Sequence, residues 1–144
     1  MSPSAAINQL ADDFALFSDW EDKYAYIIDL GKHLRPYPEQ YRTDEFKVRG
    51  CQSQVWLHPH VEGNTVHFDA DSDAVIVRGL IALLMRVYDG ATAKEILDTP
   101  TDFVRTLGLA DHLSQNRANG LAAMLKQIHL YALAVQSRLE SASS

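Results

Sequence analysis

The sequence predicts an α+β fold, a small antiparallel three-stranded sheet with helices packed on one face. Three observations predict it. Apolar residues recur at helical spacing near both ends of the chain, strict alternation runs through the stretch 54–70, and turn-forming residues separate the two regimes.

The elements follow in order. Ile7, Leu10, Ala11, Phe14 and Phe17 form the apolar stripe of a helix over 4–17. Ser18-Asp19-Trp20-Glu21 reads as a capping box, with the Ser18 hydroxyl taking a free amide and Glu21 reaching back. A second helix then runs to about Lys32, burying Trp20, Tyr24, Ile27, Ile28 and Gly31. Pro36 and Pro38 stop it, so 33–42 is a loop. Phe46-Lys47-Val48 alternates like a short strand, and Gly50 to Ser53 is a turn.

Gln54 to Val61 and Thr65 to Ala70 read as a hairpin closed by Gly63-Asn64. Glycine first in a two-residue loop suits a type II′ turn. That loop pairs Glu62 with Thr65 and Val61 with Val66. Val55, Leu57, Pro59 and Val61 then share a face with Val66, Phe68 and Ala70, whereas Trp56, His58 and His60 share the other with His67 and Asp69. A three-residue loop would pair His60 with Val66 and mix the faces. Pro59, which has no amide donor, belongs at an edge or at a ladder position that needs none.

Asp71 or Ser72 caps the next helix, which ends near Tyr88 and Gly90. Thr92-Ala93-Lys94-Glu95 is a second capping box, opening a short helix to about Leu97. Thr101 to Leu107 is another helical piece, closed by Gly108. A last long helix runs from Asn116 or Asn119 to Leu139 on the stripe Leu121, Met124, Leu125, Ile128, Ala132, Val135, leaving Ser141 to Ser144 frayed. No repeat or linker divides the 144 residues, so one domain over 1–144 is expected.

Composition narrows the function. An apolar fraction of 47% supplies a core, and a net charge of −6 argues against nucleic-acid binding and against docking on anionic lipid. No apolar run reaches the ~18–20 residues of a membrane span, and the stretch Met-Ser-Pro-Ser lacks the look of a signal peptide, so a cytoplasmic protein is expected. The single cysteine makes no internal disulfide, in keeping with a reducing compartment.

Cys51 is the residue with chemistry to offer. It lies between Gly50 and the polar run Gln52-Ser53-Gln54, in a loop, and Arg49 beside it would favour thiolate over thiol. A small buried hydrophobe is the bland reading of any lone cysteine. A hydrolase would require a histidine oriented beside the thiol, whereas sulfur exchange needs only a thiolate attacking a bonded sulfur. His58, His60 and His67, with Asp69 opposite His58, form a rival constellation that could chelate zinc. Histidines on a solvated strand face are usually polar surface, and no metal is expected.

The block Gly50-Cys51-Gln52-Ser53-Gln54-Val55-Trp56-Leu57 resembles the signature of the SufE sulfur-acceptor proteins, with the paralogous CsdE-type proteins close. Trp20 to Tyr24 with Ile27 to Gly31, Asp71-Ser72-Asp73 leading into Ile76 to Ala82, and His112-Leu113 with Arg117-Ala118-Asn119-Gly120-Leu121 resemble further stretches of that family, although Asn116 stands where the family usually has serine. The resemblance implies the fold of the IscU-type scaffold proteins and an acceptor role for Cys51. It implies a pyridoxal-phosphate cysteine desulfurase, SufS-like or CsdA-like, as donor, an iron–sulfur scaffold downstream, and no cofactor on this chain. It points to Arg117, with Arg49, as cations supporting the thiolate, and to Gln52, Ser53 and Asp73 as partner contacts. A carboxylate in a first helical turn is the simpler account of Asp73. A homodimer stays open. So do a non-catalytic desulfurase-binding adaptor and a thiol redox sensor as other roles.

Overall fold

In the computed structural model, which describes residues 1–143, helix α1 (Pro3–Ala15) starts under Ser2, whose Oγ accepts from the Ala5 amide at 3.2 Å. It buries Ala6, Leu10 and Phe14. Helix α2 (Trp20–Gly31) is capped by Asp19, not Ser18: the Asp19 carboxylate accepts from the Asp22 amide at 2.9 Å. The capping motif is thus one residue later than the sequence suggested. A carboxylate there also gains from the positive end of the helix, as a hydroxyl does not.

The strand expected at 46–48 is reduced to one bridge between Lys47 and Trp56. Asp44–Phe46 instead closes a 3-10 turn, as Glu39–Tyr41 does before it. Only Val48 remains to donate to the Val55 carbonyl, at 2.8 Å. Strands β1 (Val55–Glu62) and β2 (Thr65–Ser72) pair in the expected register, Val61 with Val66 and His60 with His67. Gly63 has φ +61° and Asn64 has no positive φ, as a type II′ turn requires. Pro59 faces Phe68, whose amide donates to Asp89 at 2.9 Å and whose carbonyl accepts from Arg35 at 2.8 Å. Neither group turns toward Pro59, so the missing donor costs nothing. On the outer edge of β1, the Leu57 carbonyl accepts from the Tyr131 hydroxyl at 3.4 Å.

Helix α3 (Val75–Tyr88) begins later than expected, because Asp71 and Ser72 extend β2. Ala74 precedes it with no side-chain cap, and the Ser72 Oγ accepts from the Ala74 amide at 3.2 Å. The third strand is β3 (Ala91–Thr92), paired with Val66 and Thr65, so the sheet order is β1-β2-β3. Thr92 and Glu95 form the expected capping box of α4 (Ala93–Asp98), at 2.9 and 3.0 Å. The short helices α5 (Phe103–Thr106) and α6 (Leu109–His112) are separated by Gly108, at φ +83°. Helix α7 (Gln115–Ser143) starts one residue before Asn116, where the Ser114 Oγ accepts from the Arg117 amide at 3.3 Å, and continues past Leu139 through the stretch expected to fray. Ser144, the rest of that expectation, lies outside the described residues.

Helices cover one face of the sheet, as expected. Val55, Leu57, Val66, Phe68 and Ala70 are buried there with Ile81 and Leu84 of α3 and Met124 and Ile128 of α7. Helices α2 and α3 cross at two glycines. A Cβ on Gly31 would lie 2.8 Å from the Gly79 amide nitrogen, and one on Gly79 would run into the Ile27 carbonyl. The other sheet face is not bare. Residues 35–47 lie across it: Tyr41 stacks on His58 at 3.6 Å, Phe46 meets His58 edge-on at 4.8 Å, and the Arg42 guanidinium sits 4.8 Å over Trp56. Trp56 is consequently buried. His60 and His67 are ring neighbours at 5.4 Å, but among the described residues no group of three or more histidine, cysteine or carboxylate side chains is placed to hold a metal. Among the same residues, no helix is long and apolar enough to cross a membrane.

Candidate functional site

Cys51 sits on a loop whose ends are both pinned. Val48 is bonded to Val55 before it. After it, the Gln54 amide donates to the Asp73 carboxylate at 3.0 Å while the Asp73 amide donates to the Gln54 carbonyl at 3.4 Å. Between the pins the chain reverses at Gly50, with φ +92°, a conformation that glycine adopts without steric cost. This turn sends Cys51 inward, so the thiol is half-buried against α7 and Sγ donates to the Gly120 carbonyl at 3.7 Å.

The thiol opens into a pocket of about 320 Å³. Ile76, Val77 and Leu80 of α3 and Met124 of α7 make it apolar, while Ser53 and Arg117 supply polar groups. Of the six residues singled out from sequence, Cys51, Gln52, Ser53 and Arg117 meet here. Arg49 is exposed and does not line the pocket. Asp73 does not reach it either; its carboxylate is spent on the loop tether, not in the first turn of α3. Sequence reasoning missed the apolar floor, because Ile76, Leu80 and Met124 look like ordinary core positions of amphipathic helices. It also missed Gly120, which the family resemblance had brushed without assigning it a role. A second cavity, of about 410 Å³ between α2, β2 and α3, holds no thiol, and its Arg35 is already paired with Asp89 and the Phe68 carbonyl.

Burial pushes the Cys51 thiol above its ordinary pKa. The lowering expected from Arg49 and Arg117 is therefore absent in the resting protein, where desolvation prevails and a carbonyl faces the S–H. Both favour the protonated form. The thiolate, and with it reactivity, therefore appears at higher pH than for a free cysteine. Alkylation of Cys51 by iodoacetamide should be slow at neutral pH compared with the same protein in urea, and should rise with pH through a midpoint above the ordinary thiol value. A midpoint at or below that value would show that a cation, not burial, governs the group.

Comparison with known proteins fits this geometry. The profile of the family described as SufE, an Fe-S metabolism associated domain, matches residues 8–132. The chain is 45% identical over 128 residues to an uncharacterised SufE-like protein of Rhizobium meliloti (strain 1021), covering 85% of this chain and 91% of that protein. It is 47% identical over 130 residues to an uncharacterised SufE-like protein of Rhizobium etli, covering 86% and 87%. The solution structure of a hypothetical protein from Thermus thermophilus superimposes with a TM-score of 0.79 over 95% of this chain and 99% of that one. At 22% identity, that likeness concerns the fold alone.

Proposed function

The chain belongs to the SufE family, a domain associated with Fe-S metabolism, and on that premise we propose that it is a sulfur acceptor working with a cysteine desulfurase. The observation that carries the proposal is the placement of the only cysteine: on a pinned loop, at a pocket that also contains a guanidinium. In the proposed step, the Cys51 thiolate attacks the outer sulfur of a persulfide on the donor. An S–S bond forms on Cys51, the donor's S–S bond breaks, and the donor cysteine leaves as a thiolate. The exchange is redox-neutral and asks for no cofactor on this chain. The donor is a pyridoxal-phosphate desulfurase, SufS-like or CsdA-like, and the sulfur passes on to an iron–sulfur scaffold. The protein is thus an accessory in sulfur transfer rather than an enzyme in its own right, and acts in the cytoplasm.

Resting protonation fits a carrier that waits. A sheltered thiol resists oxidation, and ionisation is deferred until the partner displaces the loop. Arg117 then has a role in the anionic state, because a guanidinium in the same pocket favours thiolate and persulfide over thiol. Gln52 and Ser53, beside the cysteine, and the exposed Asp73 are the first residues an approaching partner would meet.

The test is intact mass after incubation with an active desulfurase and cysteine, without reductant. The wild-type chain should gain sulfur on Cys51, removable by a thiol. No gain while the desulfurase turns over would defeat the proposal. Arg117→Ala should keep the melting temperature and slow uptake about tenfold, the scale of one charge-assisted contact. Unchanged uptake would remove Arg117 from the transfer.

A further inference from the structure

Gly120 runs against the preferences of its own element. It lies inside α7, where glycine is among the poorest residues and alanine the best. Nothing in the resting packing demands the exception. A Cβ on Gly120 would lie 3.6 Å from Cys51 Sγ and 3.9 Å from Cys51 Cβ, which is ordinary van der Waals contact. Gly120 has a helical, negative φ as well, so backbone conformation gives no reason either. The helix would gain from a methyl group, and the resting thiol would accept it. The space above Gly120 is nevertheless kept open, and it belongs to the Cys51 pocket.

The thiol hydrogen bond indicates what would use that space. The S–H is directed at the Gly120 carbonyl, 3.7 Å from Sγ. When the thiol becomes a persulfide, an S–S bond of ~2.05 Å takes the place of that S–H. The outer sulfur cannot lie on the line to the carbonyl oxygen, which leaves too little distance for contact, and the open space beside that line is the pocket that Gly120 borders. A methyl at this position would bring the outer sulfur inside van der Waals contact for any S–S direction within about 70° of the line from Sγ to that methyl.

Resting on the sulfur-acceptor reading, we infer that Gly120 is the residue that lets the pocket house the persulfide: its missing side chain makes room for the outer sulfur. Gly120 touches the transferred atom only through this absence, so it selects the persulfidated state without contributing a reactive group. The step it serves is the one given above: Cys51 thiolate plus donor persulfide give Cys51 persulfide plus donor thiolate, with atoms and charge conserved.

The experiment compares wild type with Gly120→Ala. Both are loaded by an active desulfurase with cysteine, freed of the desulfurase, and exposed to a fixed concentration of a thiol reductant while intact mass follows the sulfur left on Cys51. Thermal melting of both unloaded proteins is recorded alongside. Expected is a melting temperature for Gly120→Ala equal to or above wild type, with a persulfide lifetime at least tenfold shorter. A merely structural role would move stability and lifetime down together, and a lower melting temperature for the variant would overturn the inference by showing that the resting packing itself needs glycine. Equal lifetimes would overturn it while leaving the sulfur-acceptor reading in place. Failure of wild type to gain sulfur would instead defeat that reading, and this inference with it.

Discussion

Cys51→Ser should fold like wild type and accept no sulfur. Serine matches cysteine closely in size, and the side chain it replaces is half-buried on a loop, contributing little to the core, so melting should shift by no more than a few degrees. A hydroxyl is not ionised near neutral pH and forms no S–S bond. Mass gain in the desulfurase assay should fall from one or more sulfur atoms to none. Binding to the desulfurase should persist, since an interface draws on a far wider surface than one residue. Turnover stimulated through transfer should vanish with the mass gain. A Cys51→Ser protein that stimulates as well as wild type would make this chain an adaptor that binds without accepting sulfur.

Gly79→Ala should damage the fold itself. A Cβ there would overlap the Ile27 carbonyl and lie 2.8 Å from the Ile27 carbonyl carbon and Cγ2. The obstacle is mostly helix backbone, which cannot turn aside as a flexible side chain can, so α2 and α3 must separate. Ile27, Leu80 and Leu83 are essentially excluded from water beside this crossing, and separation would loosen all of them. Against a helix-propensity gain of about 1 kcal/mol, overpacking of this kind should cost about 3 kcal/mol or more, lowering the melting temperature by roughly 10 °C. A variant melting within 2 °C of wild type, by roughly the same conversion, would show that the helices can part cheaply. The contrast with Gly120→Ala is direct: one glycine is needed for the fold at rest, the other for the loaded state.

How much of this was legible in the sequence depended on whether a pattern was long enough to repeat. The β1–β2 register was readable because eight-residue strands with one apolar face allow a single pairing that separates Val55, Leu57, Val66 and Phe68 from the histidines. β3 was not, since alternation has no meaning over Ala91 and Thr92 alone. The covering of the polar face was hidden for a related reason: Tyr41, Arg42 and Phe46 follow no period, and the contacts that lay them on His58 and Trp56 are long-range in sequence. Cap positions slipped by one to three residues wherever several acceptors stood in a row, as in Ser18-Asp19 and Asp71-Ser72-Asp73. Cys51 was legible as the only thiol beside a loop glycine. Its pocket was not, because the residues that surround it are also good core residues, and a glycine within a helix reads as a flaw until its neighbour is seen.

Asp89 and Arg35 together hold both backbone groups of Phe68. They occupy the amide and carbonyl that β2 would otherwise offer beyond its short pairing with β3. On the opposite margin, Val48 and Tyr131 take the Val55 and Leu57 carbonyls, and Pro59 offers no donor at all. At these positions the sheet gives an incoming chain nothing to extend, which is how native proteins keep open sheet margins from seeding aggregates. Two stretches of the open margin are thereby closed to a pairing strand from a second copy of the chain.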